Sequence, residues 1–148
     1  MFVKDIMSTD PMRCSPGTTL REVAEMMAGG DCGEIPVCDE AGKPIGVVTD
    51  RDIVCRVLAK GQNPLAIPAS QCMTEPVVTA SLDLSLEDCA RLMEQYRVRR
   101  LPVVDAGGAC CGIVAQADLA RRGPHDIAVE VLATVSQPGA APSPGIGR

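Results

Sequence analysis

The sequence has almost no aromatic residues and no excess of positive charge. Its 148 residues include no Trp, one Phe and one Tyr, and its 14 Lys and Arg are outnumbered by 19 Asp and Glu, which gives a formal net charge of −5. Proteins that bind nucleic acids rely on basic surfaces and on aromatic side chains that stack with bases. The composition therefore argues against nucleic acid as a partner.

Long apolar runs are also missing. No stretch reaches the roughly 18 to 20 apolar residues that a membrane span needs, and the first residues, MFVKDIMSTDPM, lack the apolar core of a signal peptide. We therefore expect a soluble, cytoplasmic protein with no membrane partner.

Motifs of catalysis and metal binding are absent as well. The chain has no nucleophile elbow, Walker loop or H-E-x-x-H motif. Its single histidine, His125, follows Gly123 and Pro124, where a surface or helix-cap role explains it better than general-base catalysis. We expect a protein that is not an enzyme.

The eight cysteines form no C-x-x-C pair and have no histidine nearby, whereas a zinc site needs closely spaced ligands. They are interpreted as small hydrophobic residues, and no metal requirement is expected. Cys110 and Cys111 would point to opposite faces of a strand, so one of them could be open to oxidation.

What the sequence does contain is an internal duplication. Residues 20–53 align with residues 86–119 without a gap at an offset of 66 residues. Ten of the 34 aligned pairs are identical: Leu20/Leu86, Ala24/Ala90, Met27/Met93, Pro36/Pro102, Val37/Val103, Asp39/Asp105, Gly42/Gly108, Gly46/Gly112, Val48/Val114 and Asp52/Asp118. Chance alone would give only a few such pairs, so the chain consists of two copies of one unit.

Each copy predicts the same order of elements. Apolar residues at helical spacing, preceded by Thr19 or Ser85 as the first residue of a capping box, indicate an amphipathic helix. Two short β-type runs follow, separated by a glycine-containing turn. They are EIPVCD and PIGVVT in the first copy, and RLPVVD and CCGIVA in the second. A second helix ends each copy. The predicted fold is α/β, in the α+β sense, with two βαββα repeats packed sheet to sheet with pseudo-two-fold symmetry.

The predicted boundaries follow from this pattern. The first repeat spans residues 3–60, a Pro-containing linker spans 61–70, and the second repeat spans 71–122. An amphipathic helix is expected at 123–135. The Pro- and Gly-rich residues 136–148 are expected to form a flexible tail.

These motifs resemble the tandem cystathionine-beta-synthase (CBS) domain pair, also called a Bateman module. The resemblance covers roughly residues 3–122 and rests on the duplicated M-x-x-(x)-P, L-P-V-V-D and G-h-h-T-x-x-D patterns, where h is hydrophobic. It implies a stand-alone bacterial-type regulatory protein that binds adenosine derivatives in clefts between the repeats.

The corners GVVTDRD and GIVAQAD, at Gly46–Asp52 and Gly112–Asp118, have two interpretations. Asp52 could accept hydrogen bonds from a ribose, and Thr49 could contact phosphate at a helix N-terminus. Alternatively, T-x-x-D is a plain capping box. Because Ala115 replaces Thr49 in the second copy, we expect the first site to bind phosphate-bearing ligands more tightly.

The resemblance implies two composite sites. The first would comprise Thr49, Arg51, Asp52, Val78, Arg99 and Arg100, and the second would comprise Gln116, Asp118, Arg13, Gly33 and Glu34. The guanidinium groups of Arg99 and Arg100 would suit phosphate, whereas the carboxylate of Glu34 would repel it.

The leading hypothesis is a non-enzymatic ligand sensor that binds AMP, ADP, ATP, NAD(H) or S-adenosylmethionine and signals to an unidentified protein partner. The alternatives are a structural oligomerisation module with vestigial clefts and a thiol-based redox sensor. The apolar helices LREVAEMM and LEDCARLM favour a homodimer with an isologous interface.

Overall fold

The computed structural model describes residues 1–135, and the tail predicted for residues 136–148 lies outside this range. In chain order the elements are α1 (Val3–Ile6), β1 (Ser8–Thr9), α2 (Leu20–Gly30), β2 (Glu34–Cys38), β3 (Pro44–Thr49), α3 (Asp50–Asp52), a π-helical segment (Ile53–Val57), two short 3-10 helices (Leu58–Lys60 and Ala69–Gln71), β4 (Ala80–Ser81), α4 (Leu86–Tyr96), β5 (Arg100–Val104), β6 (Cys110–Ala115), α5 (Gln116–Arg122) and α6 (His125–Val135). The mixed α/β class is confirmed.

Residues 12–77 form one compact unit around the first repeat. Strands β2 and β3 are antiparallel, with Glu34 opposite Thr49. Cys14 adds a parallel bridge to Val37 on the other side of β2. Helix α2 buries Leu20, Val23 and Met27, three positions on one helical face, in the core of this unit.

Residues 1–11 form the other unit together with the second repeat, from residue 78 onward. Its sheet has the order β1-β6-β5-β4, in which β4 runs parallel to β5 and the other pairs are antiparallel. Its core includes Leu86 and Met93 of α4 and Leu101 of β5, each exposed by 1% or less.

Each unit takes an edge segment from the stretch of chain that precedes the other repeat. Ser8 pairs with Ile113 in the second repeat, and Thr74 pairs with Val47 in the first. The two pairings are related by the same 66-residue offset as the duplication. Strand pairing thus assigns the leading segment of each copy to the other compact unit, while the repeat boundaries 3–60 and 71–122 drawn from the sequence stay a prediction.

The predicted linker also packs on the first repeat. The Leu20 N–H donates a hydrogen bond to the Ile67 carbonyl over 2.8 Å, and Ala69 is fully buried. The stretch that contains Pro64 and Pro68 is therefore packed against the first repeat and leads into the 3-10 helix Ala69–Gln71.

The exchanged segments explain the glycine repeated in both corners. A Cβ added to Gly46 would lie 2.7 Å from Met73 Sδ and 3.1 Å from the Thr74 carbonyl oxygen. A Cβ on Gly112 would lie 2.7 Å from the Ser8 carbonyl oxygen. Glycine is required because another part of the chain crosses the strand at this point.

The predicted capping boxes are present at the start of α2 but only half-formed at α4. Thr19 and Glu22 exchange both hydrogen bonds, at 2.9 and 3.3 Å. Ser85 Oγ accepts from the Asp88 N–H over 3.1 Å, but the Asp88 carboxylate pairs with Arg91 instead of returning to Ser85. Aspartate is one methylene shorter than glutamate, and a nearby arginine competes for it.

Among residues 1–135 we find no helix with the length and hydrophobicity that a bilayer span requires.

Candidate functional site

The first corner is a reciprocal capping box. The Asp52 N–H donates to Thr49 Oγ1 and the Thr49 N–H donates to Asp52 Oδ2, both over 3.0 Å. Thr49 is 0% exposed and Asp52 is 9% exposed. Of the two interpretations open from the sequence, the cap is therefore formed, and its hydroxyl is closed to solvent.

Two further residues hold the Asp52 carboxylate. The buried Thr74 hydroxyl donates to Asp52 Oδ2 over 3.4 Å, and Arg56 Nε lies 3.6 Å from Asp52 Oδ1. Both carboxylate oxygens are thus engaged by protein groups. Sequence reasoning missed Thr74 and Arg56, although each has a similar or identical residue, Ser8 or Arg122, at the 66-residue offset.

Gly33 and Glu34 lie beside this corner in the same unit. Glu34 is opposite Thr49 and 3% exposed, and the Asp50 N–H donates to the Gly33 carbonyl over 3.0 Å. A Cβ on Gly33 would come within 3.1 Å of Asp50 Oδ2. Arg51 is exposed.

The first corner therefore collects three carboxylates, Glu34, Asp50 and Asp52, with the guanidinium groups of Arg51 and Arg56. This charge distribution does not favour a polyphosphate.

The second corner has the same carboxylate with fewer partners. The Ala115 N–H donates to Asp118 Oδ2 over 2.7 Å, but Ala115 has no side-chain oxygen to complete a box. Asp118 is half-buried, and within residues 1–135 it makes no other hydrogen bond or ion pair. One of its oxygens is therefore open to a ligand.

Two arginines pair through their backbone with the residues that precede Asp118. The Gln116 N–H donates to the Arg99 carbonyl over 2.9 Å, and Arg100 is opposite Ala115. In the described part of the chain neither guanidinium forms an ion pair. The backbone of these two arginines thus lies beside the strand end from which α5 and Asp118 begin.

Val78 and Arg13 lie elsewhere in their units. Val78 is half-buried two residues before β4. Arg13 is exposed and lines a cavity of about 370 Å³ with Thr18, Asp39 and Glu40. The grouping of residues from both repeats into composite sites stays a prediction.

Three buried thiols are poorly suited to redox sensing, whereas Cys55 is exposed. Burial raises the pKa of Cys14 and Cys72 to about 11 and that of Cys89 to about 12, which lowers the fraction of reactive thiolate. Cys110 is buried and Cys111 is half-buried, as expected for neighbours on a strand. Burial also raises the pKa of the Cys111 thiol, the candidate for oxidation.

Within residues 1–135 no three His, Cys, Asp or Glu side chains are grouped so that they could hold a metal ion.

The duplication corresponds to a known domain. Residues 3–59 and residues 69–125 each match the model of the CBS domain. The chain therefore belongs to the CBS domain family and carries a tandem CBS pair.

Relatives of similar length support this assignment. The chain is 42% identical over 118 residues to the CBS domain-containing protein YhcV of Bacillus subtilis, covering 80% of this chain and 82% of that protein. It is 31% identical over 135 residues to Hypoxic response protein 1 of Mycobacterium tuberculosis, covering 91% and 94%. A further relative, the uncharacterized protein MK0525 of Methanopyrus kandleri, is 33% identical over 126 residues. The match covers 85% of this chain and 64% of that protein.

Solved structures share the fold. Hypoxic Response Protein I, whose crystal structure holds two coordinated zinc ions, has a TM-score of 0.77 at 31% identity, covering 84% of this chain and 100% of that one. The CBS domain pair of protein MJ0100, in complex with 5′-methylthioadenosine and S-adenosyl-L-methionine, has a TM-score of 0.73 at 30% identity, covering 82% and 98%. CBSX2 in complex with AMP has a TM-score of 0.70 at 27% identity, covering 81% and 93%.

Proposed function

We propose that this chain is a non-enzymatic regulatory module that binds an adenosine nucleotide and transmits its occupancy to a protein partner. The observation that carries the proposal is the second corner, where one oxygen of the Asp118 carboxylate has no protein partner among the described residues and the backbone of Arg99 and Arg100 pairs with the preceding residues. The adenosine ligands in the structures of the MJ0100 pair and of CBSX2 support the same class of ligand.

The chemistry of each group fits one part of such a ligand. A carboxylate accepts hydrogen bonds from the two hydroxyls of a ribose, and Asp118 has an oxygen available for this. Guanidinium groups bind phosphate through paired N–H donors, which suits Arg99 and Arg100. A ligand with both a ribose and a phosphate uses both sets.

The ligand class is tested by isothermal titration calorimetry with AMP, ADP, ATP, NAD(H), S-adenosylmethionine and adenosine. Asp118→Ala should weaken binding of AMP and of adenosine by about tenfold or more, since a charge-assisted hydrogen bond is lost. Asp126→Ala, which removes an exposed carboxylate from the first turn of α6, is the matched control and should change neither.

An Arg99→Ala, Arg100→Ala double variant should weaken AMP but not adenosine, because only AMP carries a phosphate. No heat and no thermal shift with any ligand of the panel at millimolar concentration would refute the proposal. Equal weakening of AMP and adenosine in the double variant would refute the phosphate role alone.

A second candidate function is oligomerisation, which the apolar surface of the first repeat favours. Val54 and Leu58 lie four residues apart and are 54% and 52% exposed. A homodimer that buries them predicts that Val54→Glu with Leu58→Glu yields a monomer in light scattering. A wild-type protein that is already monomeric at micromolar concentration contradicts this candidate.

A further inference from the structure

The same helical face is covered in the second repeat and exposed in the first. In the second repeat α6 packs on α4 and α5, and Ala90 of α4 is 5% exposed. Glu94, one turn further along α4, lies near enough to Glu130 of α6 for the two carboxylates to repel each other. The residues of α2 that match Ala90 and Glu94 at the 66-residue offset are Ala24 and Ala28, and both are exposed. A face that holds a helix in one copy of the duplication is therefore open in the other.

This face of the first repeat carries an apolar strip with a cation, formed by Arg51, Val54 and Leu58. Val54 and Leu58 are 54% and 52% exposed, and Arg51 is exposed three residues before Val54, so the three lie on one side of their helical turns. Arg51 and Val54 match Ala117 and Ala120, which lie beside α6 in the second repeat. Among residues 1–135 Arg51 forms no ion pair. We call these three residues the first-repeat strip.

Helix α6 carries a strip of the opposite charge, formed by Asp126, Val129, Glu130 and Leu132. Val129 and Leu132 are 53% and 54% exposed, and both carboxylates are exposed beside them. Neither carboxylate forms an ion pair in the described part of the chain. A cation brought to Glu130 would also offset its repulsion from Glu94. The two strips thus match in apolar character and are complementary in charge, which favours and orients association.

We propose that the first-repeat strip binds α6 of a second copy of this chain. In a two-fold symmetric dimer this contact is made twice, once with each copy supplying α6. The inference rests on oligomerisation, the second candidate function, and goes beyond it by naming the surface that covers Val54 and Leu58.

Charge reversal in the full-length chain tests the pairing of the strips. Arg51→Glu and Glu130→Lys should each weaken self-association by about tenfold, because like charges then meet at both contacts of the dimer. An equimolar mixture of the two variants should recover the wild-type affinity, since every contact of the mixed dimer again joins opposite charges. Sedimentation equilibrium at micromolar concentration measures all three samples. Loss of association without recovery in the mixture would overturn the proposal.

Two matched controls separate this pairing from an effect of net charge. Lys43→Glu and Glu87→Lys make the same changes of charge at exposed positions outside both strips, and they should leave the affinity unchanged. Equal weakening in these controls would overturn the proposal, because net charge alone would then explain the result. Recovery in the mixture also shows that both reversed chains are folded.

The same measurements distinguish failure of this inference from failure of oligomerisation. A wild-type chain that stays monomeric would overturn both. Association that Val54→Glu with Leu58→Glu abolishes, but that Glu130→Lys leaves unchanged, would keep oligomerisation and show that a surface other than α6 covers the first-repeat strip. That outcome would overturn this inference alone.

Discussion

The two corners carry the same aspartate, but they hold it differently. Asp52 accepts hydrogen bonds from Thr49 and Thr74 and faces Arg56, whereas Asp118 accepts one from Ala115. A carboxylate that is already satisfied gains little by exchanging protein donors for ligand hydroxyls. Residue identity across a duplication therefore does not establish equal function.

This difference weakens one argument for tighter phosphate binding at the first corner, which stays a prediction. Thr49 was the reason to expect tighter phosphate binding at the first corner, but its hydroxyl is fully buried and serves as a cap. Arg99 and Arg100, which form no ion pair among the described residues, pair through their backbone with Gln116 and Ala115 at the second corner. We now expect the second corner to provide the stronger contacts to a nucleotide.

The largest effect should come from the glycines that the exchanged segments cross. Gly112→Ala should lower the free energy of unfolding by up to about 3 kcal/mol, because its Cβ meets the backbone oxygen of Ser8. Gly46→Ala should cost less, since its nearest contact is the movable end of Met73. Denaturant unfolding of both variants measures the difference, and equal losses would show that the two crossings are equally rigid.

Removal of the two aspartates should separate stability from binding. Asp52→Ala should lower the free energy of unfolding by about 2 kcal/mol, because a cap and a buried hydrogen-bond acceptor are lost together. Asp118→Ala should cost less than about 1 kcal/mol but should weaken nucleotide binding more than Asp52→Ala does. Calorimetric unfolding and ligand titration of the pair provide the test. The reverse order in both measurements would mean that the first corner is the binding site.

Exchange of the capping residue should make the corners more alike. Thr49→Ala should cost roughly 0.5 to 2 kcal/mol of stability without discriminating between AMP and adenosine. Ala115→Thr should stabilise the start of α5 by up to about 1 kcal/mol. Melting curves and titrations of both variants check this, and a selective tenfold loss of AMP binding in Thr49→Ala would restore the phosphate role of its hydroxyl.

The smallest effect concerns α6, which only the second repeat possesses. Burial and then repulsion from Glu130 raise the pKa of the Glu94 carboxyl on α4, while Arg91 opposes the shift. Because the folded state favours protonated Glu94, this contribution to stability is greatest at acidic pH and is lost as the pH rises through the raised pKa.

Glu130→Gln should therefore slow amide hydrogen exchange in α6 slightly at pH 7 and have little effect near pH 4. Glu94→Gln should act in the same way, and the double variant should add little, because either change removes the repulsion. An effect that is larger at pH 4 would contradict this assignment.

Much of the fold was predictable because its signals are local. The helical spacing of Leu20, Val23 and Met27 and the alternating β-type runs led to the elements that the structure contains. The boundaries of the units were not predictable in the same way. Nothing in a two-residue strand such as Ser8–Thr9 indicates which distant strand it joins.

The two corners were predictable in their position on the chain, but the hydrogen-bond partners of their carboxylates were not. The motif located Thr49, Asp52 and Asp118 correctly at the helix starts that follow β3 and β6. Whether a carboxylate there is free depends on partners such as Thr74, which is 22 residues away from Asp52 and arrives through long-range strand pairing. Local sequence patterns carry no information about such a partner.

The exchange of leading segments also determines where the chain can be divided. A fragment of residues 1–60 would carry β1 without β6, its pairing partner, and would leave β3 without Thr74. A gene fragment for residues 12–77 keeps every strand pairing of the first repeat and is the natural choice for isolated expression. A circular permutant that begins at residue 12 and attaches residues 1–11 after the second repeat would likewise make the described part of each compact unit continuous in sequence.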